Sequence, residues 1–179
     1  LVDLPIVLPP SVAGLALLLA FGRRGVVGEP LGAAGIEIPF TTIAVIVAQV
    51  FVSAPFFVRA ARAALAAVER DYEDAARVDG ASERQLTWAV TIPLAAPALV
   101  SGLVMTWARA LGEFGATIMF AGNVAGRTQT LPLVVYGEFQ AGDVDASVAA
   151  AAILVVAAFG VLIAVRGLHW GRALDVRGS

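Results

Sequence analysis

Cysteine and lysine are both missing from the 179 residues, and histidine occurs once, at position 169. Without cysteine there is no thiol nucleophile, disulfide or thiolate zinc site, and a single histidine cannot build an imidazole metal cluster. Without lysine there is no phosphate-binding loop of the G-x-x-x-x-G-K type and no Schiff-base chemistry. Any ATP-driven role must therefore draw its hydrolysis from another chain. The 12 basic residues are all arginine, scattered among 14 acids for a formal net charge of −2, which leaves no basic surface for nucleic acid. Charged residues make up only 15% of the chain, against 59% apolar. A soluble domain of this length has too little interior to hide that much apolar surface. An all-α membrane protein without catalytic machinery of its own is the expectation.

Four windows carry no charge at all: residues 4–22, 38–58, 85–108 and 146–165. A helix needs about 20 residues to cross the hydrocarbon core. The second and fourth windows read directly as spans, at 38–58 and 146–165. In the first, Pro5, Pro9 and Pro10 disturb the start, placing the span at 8–21 with its regular helix from Ser11. In the third, Pro93 and Pro97 break the front and shift the span to 98–120, which puts Arg109 and Glu113 at membrane depth. Residues 128–140 are apolar but too short to cross, and suit a helix at the outer surface or dipping partway in.

Arginine placement orients these spans. Arg59, Arg62, Arg70, Arg77 and Arg84 crowd into 59–94, and Arg166, Arg172 and Arg177 follow the last span, whereas the connection 121–145 holds only Arg127. The 59–94 segment and the C-terminus are thus expected in the cytoplasm and 121–145 outside, with 23–37 also outside despite Arg23 and Arg24. The chain opens at Leu1 directly into an apolar run, without a signal-peptide layout, and reads as lacking N-terminal spans. Small residues in the last span, Ala149, Ala150, Ala157, Ala158 and Gly160, allow close helix contacts. Trp170 sits where tryptophan anchors at an interface, and His169 is assigned no chemistry.

Between two spans, residues 69–84 place nine charges in sixteen positions. Leu65, Val68, Tyr72 and Ala76 recur at helical spacing, giving a helix with one modest apolar stripe. Gly80 is placed to end it in a left-handed conformation. Ser82 and Gln85 then fit a capping box for a second short helix that ends near Ile92 and Pro93. Asp74-Ala75-Ala76, three residues, Gly80, nine residues, Val90, one residue and Ile92-Pro93 resembles the E-A-A-x3-G-x9-I-x-L-P signature of ATP-binding-cassette (ABC) importer permease subunits. Asp74 stands where that family usually has glutamate, and Val90 and Ile92 replace isoleucine and leucine.

The resemblance implies a polytopic transmembrane helical bundle of the ABC importer permease type, one permease domain over 1–179, with a cytoplasmic helix–glycine–helix coupling segment. That segment would dock on a separate ATPase through Glu73, Asp74, Ala75, Ala76, Gly80, Val90, Ile92 and Pro93, with either Glu73 or Asp74 making the acidic contact. It further implies two ATPase copies carrying ATP and magnesium, a second permease copy, an extracytoplasmic binding protein, and a bacterial or archaeal inner-membrane location. No cofactor is implied for this chain. The stretches LPIVLPPSVAGLALLLAFGRRGVVG, APFFVRAARAAL and ARALGEFGATIMFAGNVAGRTQTLPLVVY resemble molybdate importer permeases, whose relatives carry tungstate and sulfate. The third stretch favours molybdate or tungstate over sulfate or thiosulfate.

Arg109 and Glu113 lie four apart and can pair on one helical face. They serve either as an ion pair stapling helices or as groups near a gate on the translocation route. Asn123, Arg127, Thr128 and Gln129 form an outer turn that either caps a span or meets the binding protein or the passing anion. Asp143 and Asp145 beside Gly142 are two carboxylates without a third ligand, which suits a solvated turn. A membrane-embedded enzyme and a passive membrane scaffold are the rival classes. Neither explains the spacing from Asp74 to Pro93.

Overall fold

Proline and glycine cut the first part of the chain into short helices. The computed structural model describes residues 3–175, with side chains through residue 163; the side chains of His169 and Trp170 and the late arginines lie outside that description. Helix α1 (Leu4–Val7) stops at Leu8, whose backbone is extended ahead of Pro9, and α2 (Pro10–Phe21) starts on a proline, whose missing N–H costs nothing there. With 12 residues, α2 rises roughly 18 Å, short of a hydrocarbon core of about 30 Å. The span expected at 8–21 is therefore a shorter helix, bounded by Pro9 and Gly22. A brief α3 (Gly28–Ala33) occupies the following connection.

The remaining helices are α4 (Thr42–Ala66), α5 (Arg70–Val78), α6 (Glu83–Leu86), α7 (Ile92–Leu111), α8 (Gly115–Ala121), α9 (Leu131–Ala141) and α10 (Val144–Asp175). Among the described residues three helices are long and apolar enough to cross a membrane: Thr42–Ala66, the continuous stretch Glu83–Leu111, and Val144–Ile163. The helix expected at 38–58 starts later and runs on past Arg59 and Arg62, because charge alone does not end a helix. The stripe from Leu65 to Ala76 is not one helix. The chain breaks at 67–69, and Glu69 is extended (φ −65°, ψ 131°).

The third span also departs from expectation at both ends. Pro93 and Pro97 do not break its front. A π turn at Thr87–Thr91 joins α6 to α7, and the Ile92 N–H reaches back five residues to the Thr87 carbonyl. This wider register carries the helix past Pro93, which has no N–H to offer the regular ladder. At the other end, the helix expected to continue to residue 120 stops at Leu111 and restarts at Gly115. Gly112 disfavours helix by about 1 kcal/mol, and the next carboxylate competes for backbone donors.

Packing divides the chain into two compact units, each with its own contacts. In the first, Ala13 and Leu17 of α2, Ala44, Val45, Ala48 and Val52 of α4, and Ala116, Phe120 and Ala121 of α8 form one buried cluster. The approach of α2 to α8 is one that only glycine permits: a Cβ on Gly14 would lie 2.6 Å from the Ala116 carbonyl oxygen. The Ser147 hydroxyl donates to the Val135 carbonyl at 2.9 Å and ties the start of α10 to α9. The second unit comprises Phe56–Thr106 and the helix from Val161. Within it Gly102 of α7 meets Ala60 of α4, where an added Cβ would come within 2.6 Å of the Ala60 methyl.

Among the described residues, eight of the fifteen buried apolar side chains are alanine, while Ile43, Ile46, Leu103, Trp107, Ile153 and Phe159 are more than half exposed. Small residues inside and large ones outside is the arrangement for helices whose surroundings are themselves apolar, where cohesion comes from close contact rather than expulsion of water. Of the small residues in the last span, Ala150 is buried, whereas Ala149, Ala158 and Gly160 face outward.

Candidate functional site

The charged segment between α4 and α7 folds as a closed elbow. Asp71 and Glu73 sit in the first turn of α5 and Arg77 in its last, the order that complements the helix dipole. Beyond Val78 the chain closes a Schellman turn, the Ala81 N–H donating to the Ala76 carbonyl and the Gly80 N–H to that of Arg77, both at 3.0 Å. Gly80 has φ +86°, with open space where a Cβ would stand. Glycine is needed there for its backbone, not for room. The capping box forms: the Ser82 N–H donates to Gln85 Oε1 at 2.9 Å, and the Gln85 N–H donates to Ser82 Oγ.

Side chains then brace the turn. Arg77 donates through Nε to Glu83 Oε1 at 2.9 Å and through Nη2 to Oε2 at 3.3 Å, while its Nη1 holds Asp74 at 2.9 Å. The hydrogen bond to Glu83, and the smaller contribution of Asp74, raise the Arg77 guanidinium above its ordinary range. Glu73 bridges two groups: Oε2 lies 3.9 Å from Arg77 Nη2, and Oε1 accepts a hydrogen bond from the Thr91 hydroxyl at 2.9 Å. The two acids left open by the spacing thus have different surroundings. Asp74 is 68% exposed, whereas Glu73 is held inward against the π turn.

Ala75 is exposed, Ala76, Val90 and Ile92 are half-buried, and Pro93 is exposed. Apolar surface also stands out among the charges: Tyr72, Val78 and Trp88 are 55%, 88% and 67% exposed, while Leu86 is buried. Exposed apolar groups rimmed by charge mark a face that meets another protein or a membrane. Arg77, Glu83, Trp88 and Thr91 were not picked out by the spacing. Acids three and four residues before Arg77 were the available signal for it, but nothing local points from Glu73 to Thr91, 18 residues on.

The Arg109–Glu113 pair forms at 2.9 Å, but not on one helical face. Glu113 lies beyond the end of α7, in the break before α8, and its second oxygen accepts the Ala116 N–H at 2.9 Å. The carboxylate is 1% exposed and straps the end of one helix to the first turn of the next. The pair thus bridges the break between α7 and α8.

In the turn over residues 123–129 the four expected residues separate. Thr128 is buried, its hydroxyl accepting the Val124 N–H at 3.0 Å. Asn123 donates through Nδ2 to the Leu133 carbonyl at 3.2 Å. Arg127 and Gln129 are exposed, and the Arg127 carbonyl accepts the Thr42 hydroxyl at 3.0 Å. Asp143 Oδ1 accepts the Ala146 N–H at 2.9 Å, which makes it a cap for α10.

Comparison with known proteins places this geometry in context. A family profile described as binding-protein-dependent transport system inner membrane component matches residues 1–169. The chain is 46% identical over 165 residues to the probable transport system permease protein NifC of Clostridium pasteurianum, covering 92% of this chain and 57% of that protein. It is 50% identical over 165 residues to the molybdenum transport system permease protein ModB of Mycobacterium tuberculosis, covering 92% and 62%. With the sulfate transport system permease protein CysT of Escherichia coli it shares 38% identity over 169 residues, covering 94% and 61%. The chain thus spans about three fifths of the length of the relatives it matches.

Proposed function

The chain belongs to the family of binding-protein-dependent transport system inner membrane components, and on that premise we propose that it is the membrane-spanning part of an ATP-driven importer whose cargo is an oxyanion, molybdate foremost. The observation that carries the reading is the elbow from Arg70 to Pro93. A charged, glycine-turned helix pair that keeps Tyr72, Val78 and Trp88 in solvent is built to be gripped by another protein. That partner is an ATPase, present in two copies and supplying the ATP and magnesium that a chain without lysine cannot handle by a phosphate-binding loop. A second permease copy completes the central route within a bacterial or archaeal inner membrane, and an external binding protein delivers the anion. Arg127 and Gln129, the exposed members of the outer turn, are the groups available to that receptor. ATP-driven closure biases the complex between inward- and outward-facing states through its differential affinity for them.

The higher identity to the molybdenum permease than to the sulfate permease supports molybdate. Sulfate is the second reading, because the similarity to CysT also covers 94% of the chain. Binding of molybdate, tungstate and sulfate to the cognate external receptor, followed by uptake in the assembled system, tells them apart. Proline holds φ near −65°, so Gly80→Pro cannot adopt the +86° of the turn. The expected outcome is collapse of uptake with membrane insertion intact. Normal uptake by that variant would sink the docking assignment.

A further inference from the structure

Two helices joined at a glycine turn bend about that turn unless a second connection closes the angle. The elbow has two closures. Arg77 grips Glu83 beside the turn, but these side chains are 42% and 74% exposed, so water and salt compete for the pair. The other closure lies further along the chain from Gly80. Glu73, in the first turn of α5, accepts the Thr91 hydroxyl at 2.9 Å in a part-buried setting, immediately before α7 begins. For the same play in a bond, a restraint further from the hinge allows a smaller change of angle. A hydrogen bond to a carboxylate also holds more strongly than one between neutral groups.

The π turn explains how Thr91 comes to be there. An α-helix turns about 100° per residue, so a residue five positions after the buried Leu86 would face well away from it. In a π turn, residue i+5 returns over residue i, as the Ile92 N–H to Thr87 carbonyl bond shows. Thr91 stands five residues after Leu86, and the π register brings it back to the buried side. The turn that lets the helix pass Pro93 also seats the hydroxyl that Glu73 holds.

We propose that Glu73 and Thr91 are the positioning pair that ties α5 to the root of α7, so that movement imposed on α5 passes into the spanning helix instead of being lost by bending at Gly80. The proposal rests on the reading of the elbow as the ATPase-docking element, and it adds how the elbow transmits force. Neither residue touches cargo or nucleotide.

The test uses the assembled importer in vesicles, measuring molybdate taken up per ATP hydrolysed alongside retention of the ATPase subunit. Thr91→Val keeps the shape and removes the donor. It should retain the ATPase subunit and its hydrolysis while uptake per ATP falls roughly tenfold, the factor expected for losing a hydrogen bond to a charged group. Glu73→Ala should lower the same uptake-to-hydrolysis ratio among the complexes that retain the ATPase subunit, Thr91→Ser should stay close to the unaltered chain, and Glu73→Gln, which keeps an acceptor oxygen, should fall less than Glu73→Ala. An unchanged uptake-to-hydrolysis ratio in both Thr91→Val and Glu73→Ala overturns the proposal. So does a loss of ATPase retention in Thr91→Val, since the pair would then merely shape the docking face. If the unaltered chain itself fails to retain an ATPase subunit, the reading of the elbow fails, an outcome visible before any variant is made.

Discussion

Gly80 and Gly14 are both glycines for opposite reasons, and their variants should separate accordingly. At Gly80 a methyl group has space but the left-handed backbone is strained, so Gly80→Ala should cost about 1 kcal/mol. At Gly14 the backbone is ordinary α-helix, but the methyl would press on the Ala116 carbonyl, and overpacking of this kind costs about 1–3 kcal/mol. Thermal unfolding of the detergent-solubilised protein should show the larger drop for Gly14→Ala, and equal drops would count against the tight α2–α8 contact. Glu113 is the more severe site. Glu113→Ala removes one partner of the partly exposed Arg109 and leaves the buried Ala116 N–H without its acceptor, a loss of about 3 kcal/mol at the upper end for an unsatisfied buried donor, while Glu113→Gln keeps an acceptor and should retain more stability by the same measurement. The four-residue spacing from Arg109 to Glu113 made their pairing legible. The bond to Ala116 was not, because it exists only where the helix stops.

Among the elements, the elbow was the part most readable in advance. Gly80 followed by Ser82-x-x-Gln85 carries its stop and start signals in adjacent residues, since capping chemistry is local. Ser82→Ala should remove the cap and cost about 1 kcal/mol. It should appear as faster amide exchange at Gln85 with little change in overall unfolding, and unchanged exchange there would mean the box contributes nothing. The break at 67–69 and the π turn at Thr87–Thr91 were not readable. Leu65, Val68, Tyr72 and Ala76 keep helical spacing across a break that periodicity cannot register. Pro93 and Pro97 are strong helix breakers in isolation, yet the helix from Ile92 to Leu111 runs through both, and the π register takes the chain past Pro93. Such repairs depend on neighbours that a local window does not contain.

For the whole molecule, the clustering of arginine in 59–94 predicts which parts face which side of the membrane, and the absence of cysteine makes the test clean. In intact cells a membrane-impermeant thiol reagent should label Arg127→Cys and spare Val78→Cys until the membrane is opened; the reverse pattern would invert the orientation. Composition determined that this is a helical membrane chain without a G-x-x-x-x-G-K loop in these 179 residues, because apolar content and missing residue types act regardless of arrangement. Local spacing determined the glycine elbow, because a cap or a turn is completed within a few residues. Tertiary structure alone decided that Glu73 faces Thr91, that Glu113 bridges a break instead of lying along a helix, and that Thr128 turns inward while Arg127 faces out. Each of these depends on where a helix ends or which residue far along the chain comes alongside, and such contacts exist only once the backbone has closed around them.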